Sequence, residues 1–268
     1  MPIVLVRGVG DVGSAVAHRL FGAGFDVVLH DSLHPTTTRR GMALADAVFD
    51  GRAALEGVDA VLVNDLAALP GVLALRAAIP VVIAGLDAVL GAVHPDVLVD
   101  ARMRKRSVPE SRRGIASLTI GLGPGFVAGE TVDVAVETGW GDDLGRVIQT
   151  GPTRQLAGEP RPIAGHARDR YVYAPVAGVF TTGHRIGDAV RAGQAIARAG
   201  AEILRAPLDG ALRGLTRDGV PVEAGTKVIE VDPRGTNAIV TGIGERPALI
   251  AAGVLRVVDQ WATAAEEA

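Results

Sequence analysis

The feature that most restricts this chain is its opening. A short apolar run, Ile3 to Val6, leads into Gly8-Val-Gly10-Asp11-Val-Gly13, and a helical pattern from Val12 to Ala23 follows at once. Gly8 permits the bend after a strand, Gly10 lets backbone come close to a phosphate, and Gly13 lets the helix pack on the strand. The helix N-terminus then offers an anion its N–H groups and the positive end of its dipole. Asp31 closes the second apolar run, Val27 to His30, where an acidic side chain would accept from a ribose hydroxyl. The same residues also make a merely structural turn, and Asp11 would repel a pyrophosphate unless it points away or caps the helix.

Three further β-branched runs, Val61 to Val63, Val81 to Ala84 and Val97 to Val99, alternate with helical patterns over Arg39 to Val48, Leu66 to Ala77 and Leu86 to Leu90. This alternation marks βαβ units. The expected fold class is therefore α/β: a Rossmann-like, doubly wound parallel sheet forming a nucleotide-binding domain over residues 1–114. Residues 115–170 read as a glycine-rich β segment, with strands at Leu118 to Ile120 and Val132 to Glu137, followed by a connector of low periodicity. Residues 236–268 read as a C-terminal strand and helix packing back on the core.

Residues 171–235 contain a repeat. Ala174-Pro-Val-Ala-Gly178 matches Ala206-Pro-Leu-Asp-Gly210, Gly187 matches Gly219, Val190 matches Val222, and Ala192-Gly193 matches Ala224-Gly225, all at one offset. Two small β units that cover each other are expected, and their Ala-Pro-x-x-Gly elements resemble the biotinyl and lipoyl carrier domain, a duplicated barrel-sandwich hybrid. Carriers modify a lysine at the hairpin between the halves. Here that stretch reads Ala197-Arg-Ala-Gly-Ala201, so no lipoyl or biotinyl group is expected.

Composition removes several function classes. The chain has no cysteine, which excludes thiol nucleophiles, disulfides and thiolate-held zinc. A formal net charge of −3 gives no field to draw nucleic acid or an anionic membrane, so neither is an expected partner. Arg7 and Gly8 interrupt the first apolar run before a signal peptide forms, and Pro80 with Asp87 divides the most apolar stretch, so the expected location is the bacterial cytoplasm. The six histidines show no recurring ligand spacing and no metal site is expected. Ser14 and Ser117 lack an identifiable base, so no catalytic residue is assigned.

The cofactor-binding candidates extend beyond Gly8, Gly10, Asp11, Gly13 and Asp31. Arg39 and Arg40 follow a threonine run where guanidinium groups would hold a phosphate, or where a helix simply starts. Arg102 and Lys105 belong to a basic run just after Asp100, at the strand end where open α/β sheets bind ligands, though most charge runs are solvated loops. Gly121, Gly123 and Gly125 make a second glycine-rich turn, either an anion nest or only a sharp bend.

Several segments together carry a family resemblance: Arg7-Gly-x-Gly-Asp11, Arg39-Arg40 before Asp46-Ala-Val-Phe-Asp-Gly51, Pro95-Asp-Val-Leu-Val-Asp100, Ile120-Gly-Leu-Gly-Pro-Gly-Phe126, Val136-Glu-Thr138, Leu144-Gly-Arg-Val-Ile148 and Asp232-Pro-Arg-Gly235. In this order they resemble the selenium-dependent molybdenum hydroxylase system proteins of the YqeB type. The resemblance implies an accessory role in maturing molybdenum hydroxylases, with the client enzyme or its molybdenum cofactor as partner. It assigns no catalytic residue and does not decide whether a reaction is catalysed. The implied ligand is a dinucleotide, either NAD(P) or a molybdopterin dinucleotide. An NAD(P)-dependent oxidoreductase using the same loop is the alternative, disfavoured because no proton donor stands at a convincing position. Whether the chain forms a homo-oligomer stays open.

Overall fold

The computed structural model describes residues 1–104, 109–155 and 160–267. The chain divides into two units: Met1–Leu33, Ala43–Ala157 and Ile243–Ala268 form the first, and His34–Met42 with Gly158–Gly242 the second.

In the first unit the apolar runs become strands β1 (Ile3–Arg7), β2 (Asp26–His30), β3 (Arg52–Leu55), β4 (Val58–Leu62), β5 (Ile79–Val82), β6 (Val97–Asp100), β7 (Leu118–Leu122), β8 (Val127–Ala128), β9 (Val134–Val136), β10 (Val147–Ile148) and β11 (Gly151–Pro152). The helices are α1 (Asp11–Gly22), α2 (Ala47–Asp50), α3 (Leu69–Leu75), α4 (Leu86–Val93) and, near the C-terminus, α5 (Glu245–Glu266). Nine strands join one sheet in the order β10-β9-β7-β6-β1-β2-β5-β4-β3, while β8 and β11 pair separately.

Side-chain alternation explains the layering. On β1, Val4 and Val6 enter one apolar cluster with α1 and α5, whereas Leu5 enters another with Leu69, Val89 and Val93 of α3 and α4. The helix α5 is long and apolar enough, by length and composition alone, to cross a membrane. Its Ile250, Ala251, Val254 and Val258 are buried in the cluster shared with α1.

The second unit contributes β12 (Tyr171–Tyr173), β13 (Gly178–Thr181), β14 (Ala189–Val190), β15 (Ala195–Ala199), β16 (Glu202–Arg205), β17 (Gly210–Leu215), β18 (Pro221–Val222) and β19 (Lys227–Asp232). They form two four-stranded sheets, β12-β19-β17-β14 and β16-β15-β13-β18, with every pairing antiparallel.

The expected fold class, a Rossmann-like doubly wound parallel sheet followed by a duplicated barrel-sandwich module, is corrected by this topology. The large sheet is mixed: β3 runs antiparallel to β4 at one margin and β10 antiparallel to β9 at the other. Glu56 and Gly57, with φ of 45° and 83°, reverse the chain between β3 and β4, and Gly141 and Gly145 adopt positive φ between β9 and β10. The glycine-rich segment supplies β7, β9 and β10 to this same sheet. In the second unit neither repeat closes on itself, because β18 pairs with β13 and β14 with β17 across the two copies.

The helix expected over Arg39 to Val48 is also replaced. Only a 3-10 turn at Arg40–Met42 and the short α2 form, since Arg39 bonds the buried Glu230 and Arg40 the carbonyl of Leu215.

Candidate functional site

The strand order turns at β1. On one side of β1 the sheet continues through β2, β5 and β4, and on the other, which the chain reaches only after β5, through β6 and β7, all parallel. Such a switch opens a crevice beyond the carboxyl ends of the strands. Register places Arg7, the last residue of β1, opposite His30 of β2 and Asp100 of β6, with Gly121 of β7 next to Asp100.

The Gly8 loop sits at this edge, and its conformation demands two of its glycines. Gly8 has φ +112°, and a Cβ there would lie 2.9 Å from the carbonyl oxygen of Ala101. A Cβ on Gly13 would lie 1.8 Å from the Gly8 oxygen. Gly10 differs: with φ −67° and ψ 178° it is extended backbone that any residue adopts, at the N-cap of α1. Asp11 accepts from the Val12 N–H at 3.1 Å, so its carboxylate engages the first turn of its own helix. Asp31 clamps the loop, accepting the Val9 N–H at 2.8 Å on one oxygen and the Ser32 N–H at 2.7 Å on the other. A carboxylate has about four acceptor positions, so these bonds leave capacity for a ligand hydroxyl.

Beside the loop lies a cluster of which the sequence singled out only Arg102, in the basic run after Asp100. Asp100, 3% exposed, accepts from Arg102 Nε at 2.9 Å and Nη2 at 2.5 Å. Arg7 Nη1 lies 3.8 Å and Arg112 Nε 3.7 Å from the same carboxylate. Arg7 is 7% and Arg112 8% exposed. Nε and Nη1 of Arg7 and Nε of Arg112 make no hydrogen bond among the described residues. Burial, and then the neighbouring Arg102 charge, pull the Arg7 guanidinium down to about 10. Burial works against the Asp100 carboxylate, but the Arg102 bonds prevail and hold it below its usual value.

His30 donates from Nε2 to the Ala84 carbonyl at 2.9 Å, leaving Nδ1 without a hydrogen-bond partner among the described residues. Burial first, and the Arg7 charge with it, lower its pKa despite the Ala84 bond, so the ring is neutral at pH 7 with a bare acceptor.

The remaining sequence candidates fall in three places. The turn of Gly121, Gly123 and Gly125 lies beside the segment after β6: a Cβ on Gly123 would be 3.3 Å from Met103 Sδ, and one on Gly125 2.9 Å from Pro109. Gly121 is excluded from a larger residue by the Phe126 ring, and Thr153 donates to the Gly123 carbonyl at 2.8 Å. Arg39 and Arg40 belong to the second unit, where Arg39 forms a two-pronged pair with Glu230 at 2.9 and 3.0 Å. Lys105 lies outside the described residues. Among the described residues no group of three or more His, Cys, Asp or Glu is placed to hold a metal ion. In the second unit the hairpin between β15 and β16 turns at Gly200 and Ala201, while Lys227 lies 3.2 Å from Glu230.

Arg7 and Asp100 left a faint sequence signal, a charge ending an otherwise apolar strand. Arg112 left none, since it lies in an irregular segment and is placed by the fold. Two clefts lie elsewhere: one of 480 Å³ lined by His94, Asp96 and Ser117, before β6 and β7, and one of 630 Å³ lined by Thr182, His184, Arg198 and Asp218.

No family model matches the chain. A curated relative, the uncharacterized protein YqeB of Escherichia coli strain K12, is 39% identical over 256 residues, covering 96% of this chain and 47% of the relative. The chain thus spans about half the length of the curated relative it matches. Solved structures with some likeness include the ectoine utilization protein EutE (DoeB) from Ruegeria pomeroyi, 15% identical, with 86% of this chain and 84% of that one covered and a TM-score of 0.24. A succinylglutamate desuccinylase/aspartoacylase from Rhodobacter sphaeroides is 17% identical, with 86% and 85% covered and a TM-score of 0.25. Superpositions that loose carry no inference about fold or activity.

Proposed function

We propose that this chain binds a phosphate-bearing dinucleotide cofactor at the carboxyl edge of β1 and serves, as an accessory protein, in the maturation of molybdenum hydroxylases. The observation that carries the binding reading is the Gly8 loop. Gly8 and Gly13 are sterically obligatory, and together they hold Gly10, in extended backbone at the N-cap of α1, where a phosphate would approach the helix N-terminus. Asp31 supports it with acceptor capacity beside the loop. The maturation role and the molybdopterin form of the ligand rest on the motif resemblance alone.

Calorimetry on Gly10→Val tests the binding reading. The variant keeps an allowed backbone, and, once circular dichroism shows it folded, NAD(P) or a pterin dinucleotide binds it at least about tenfold more weakly, the loss expected when one charge-assisted bond is blocked. Unchanged affinity in the folded variant refutes the reading. For the maturation role, deleting the gene leaves hydroxylase polypeptide present but poorly active; unchanged activity per molecule contradicts it.

The oxidoreductase reading has one candidate proton acceptor at this edge, His30, whose Nδ1 is unpartnered among the described residues and closed off from solvent. Turnover of NAD(P) with a substrate, abolished in His30→Ala, would establish it.

A further inference from the structure

The edge formed by β1 and β6 holds more buried positive charge than its carboxylates balance. Arg7, Arg102 and Arg112 enclose a single buried acid, Asp100, and several of their N–H groups stay unpaired among the described residues. Burying an uncompensated charge is expensive, and an unpaired donor adds to the cost. The one further described carboxylate at the cluster is Glu110. Its side chain is 59% exposed, yet it pairs with Arg112 and lies 3.7 Å from Arg102 Nη2 and 3.5 Å from Arg104 Nη1.

We propose that Arg7, Arg102 and Arg112 form a subsite for a phosphate group, and that the Glu110 carboxylate is its resident stand-in, displaced when the phosphate arrives. The chemistry favours phosphate over another carboxylate. A ligand carboxylate would exchange one charge and two acceptors for the same, with no gain over Glu110. A terminal phosphate brings up to two charges and three acceptor oxygens, and the pyrophosphate bridge of a dinucleotide brings two charges and four non-bridging oxygens, so either matches guanidinium forks and the excess charge together. Glu110 gives way because its own side chain is 59% exposed and returns to water when displaced, while the arriving phosphate takes over its guanidinium partners. Arg7, nearly enclosed, adds charge rather than a flexible contact.

The subsite rests on the phosphate-bearing ligand proposed above but is tested without a nucleotide. Isothermal titration with inorganic phosphate, inorganic pyrophosphate and acetate is compared for the unaltered protein, Glu110→Gln and Arg112→Gln. Removing the stand-in at an exposed position tightens phosphate and pyrophosphate by about fivefold and leaves acetate weak, while Arg112→Gln, folded by circular dichroism, weakens both by at least tenfold. If Arg112→Gln does not fold, the Glu110→Gln arm decides alone. Equal or weaker phosphate binding in Glu110→Gln overturns the inference, as does acetate binding as tight as phosphate. If phosphate and pyrophosphate behave as stated but no nucleotide binds, the subsite stands and the dinucleotide reading falls. If nucleotides bind with affinity blind to both substitutions, the dinucleotide reading stands and the subsite falls.

Discussion

Glu230 shows how a single side chain organises the second unit. It is fully buried and meets Arg39, Arg170 and Lys227, with Tyr171 sandwiched against Arg170 and Lys227 at 4.5 and 4.6 Å from its ring centre. Burial alone would push this carboxyl up, but the Arg39 charge, followed by Lys227, outweighs it and holds the group far below its ordinary 4.5. Because the folded value is depressed, the stabilisation is complete above the unfolded value near 4.5 and is lost as pH falls toward the folded one. Glu230→Gln leaves several cations buried without their counter-charge and costs about 3–5 kcal/mol at neutral pH. Urea unfolding at about pH 7 and again at about pH 3.5 reads this directly. The gap between the two proteins narrows in acid, and a gap that is small at neutral pH or widens in acid contradicts the assignment.

At the scale of elements, α5 and the turn before β10 approach each other closely through two glycines. A Cβ on Gly253 would lie 2.3 Å from the Gly145 oxygen, and one on Gly145 2.4 Å from the Leu249 oxygen. Helix propensity by itself favours Gly253→Ala by about 1 kcal/mol. The backbone clash reverses the sign, and a net loss of about 1–3 kcal/mol is expected in chemical denaturation, as for an overpacked site. A stabilised variant would mean that α5 does not pack on this turn. The element scale also shows what sequence could convey. Strands rich in valine and isoleucine, such as β1, β2 and β6, are legible because β-branched residues suit a pleated surface buried on both faces. The margin strand β3, Arg-Ala-Ala-Leu, is not, since its pairing is imposed by the positive-φ turn at Glu56 and Gly57. The interval from Arg39 to Val48 has helical spacing, but long-range bonds to Glu230 and Leu215 override it.

At the scale of the whole molecule, the proposed phosphate binding turns on how local charge departs from the overall balance. The chain carries a net −3, yet three guanidinium groups, Arg7 at the end of β1 and Arg102 and Arg112 in the segment after β6, gather around Asp100. Of the candidate site, the Gly8 loop, Asp31 and Arg102 were legible because strand, turn and helix fix their neighbourhood within a short stretch. Arg7 and Arg112 acquire their meaning only when β1 and the segment after β6 meet, a juxtaposition no local pattern encodes. The most direct test of the central claim is mass spectrometry of the gently purified protein under non-denaturing conditions, with released small molecules then identified, or with saturating NAD(P) or pterin dinucleotide supplied. The account predicts a stoichiometric adduct carrying a pyrophosphate, reduced in both Gly10→Val and Arg112→Gln. A folded protein that shows the bare chain mass under every one of these conditions would contradict it.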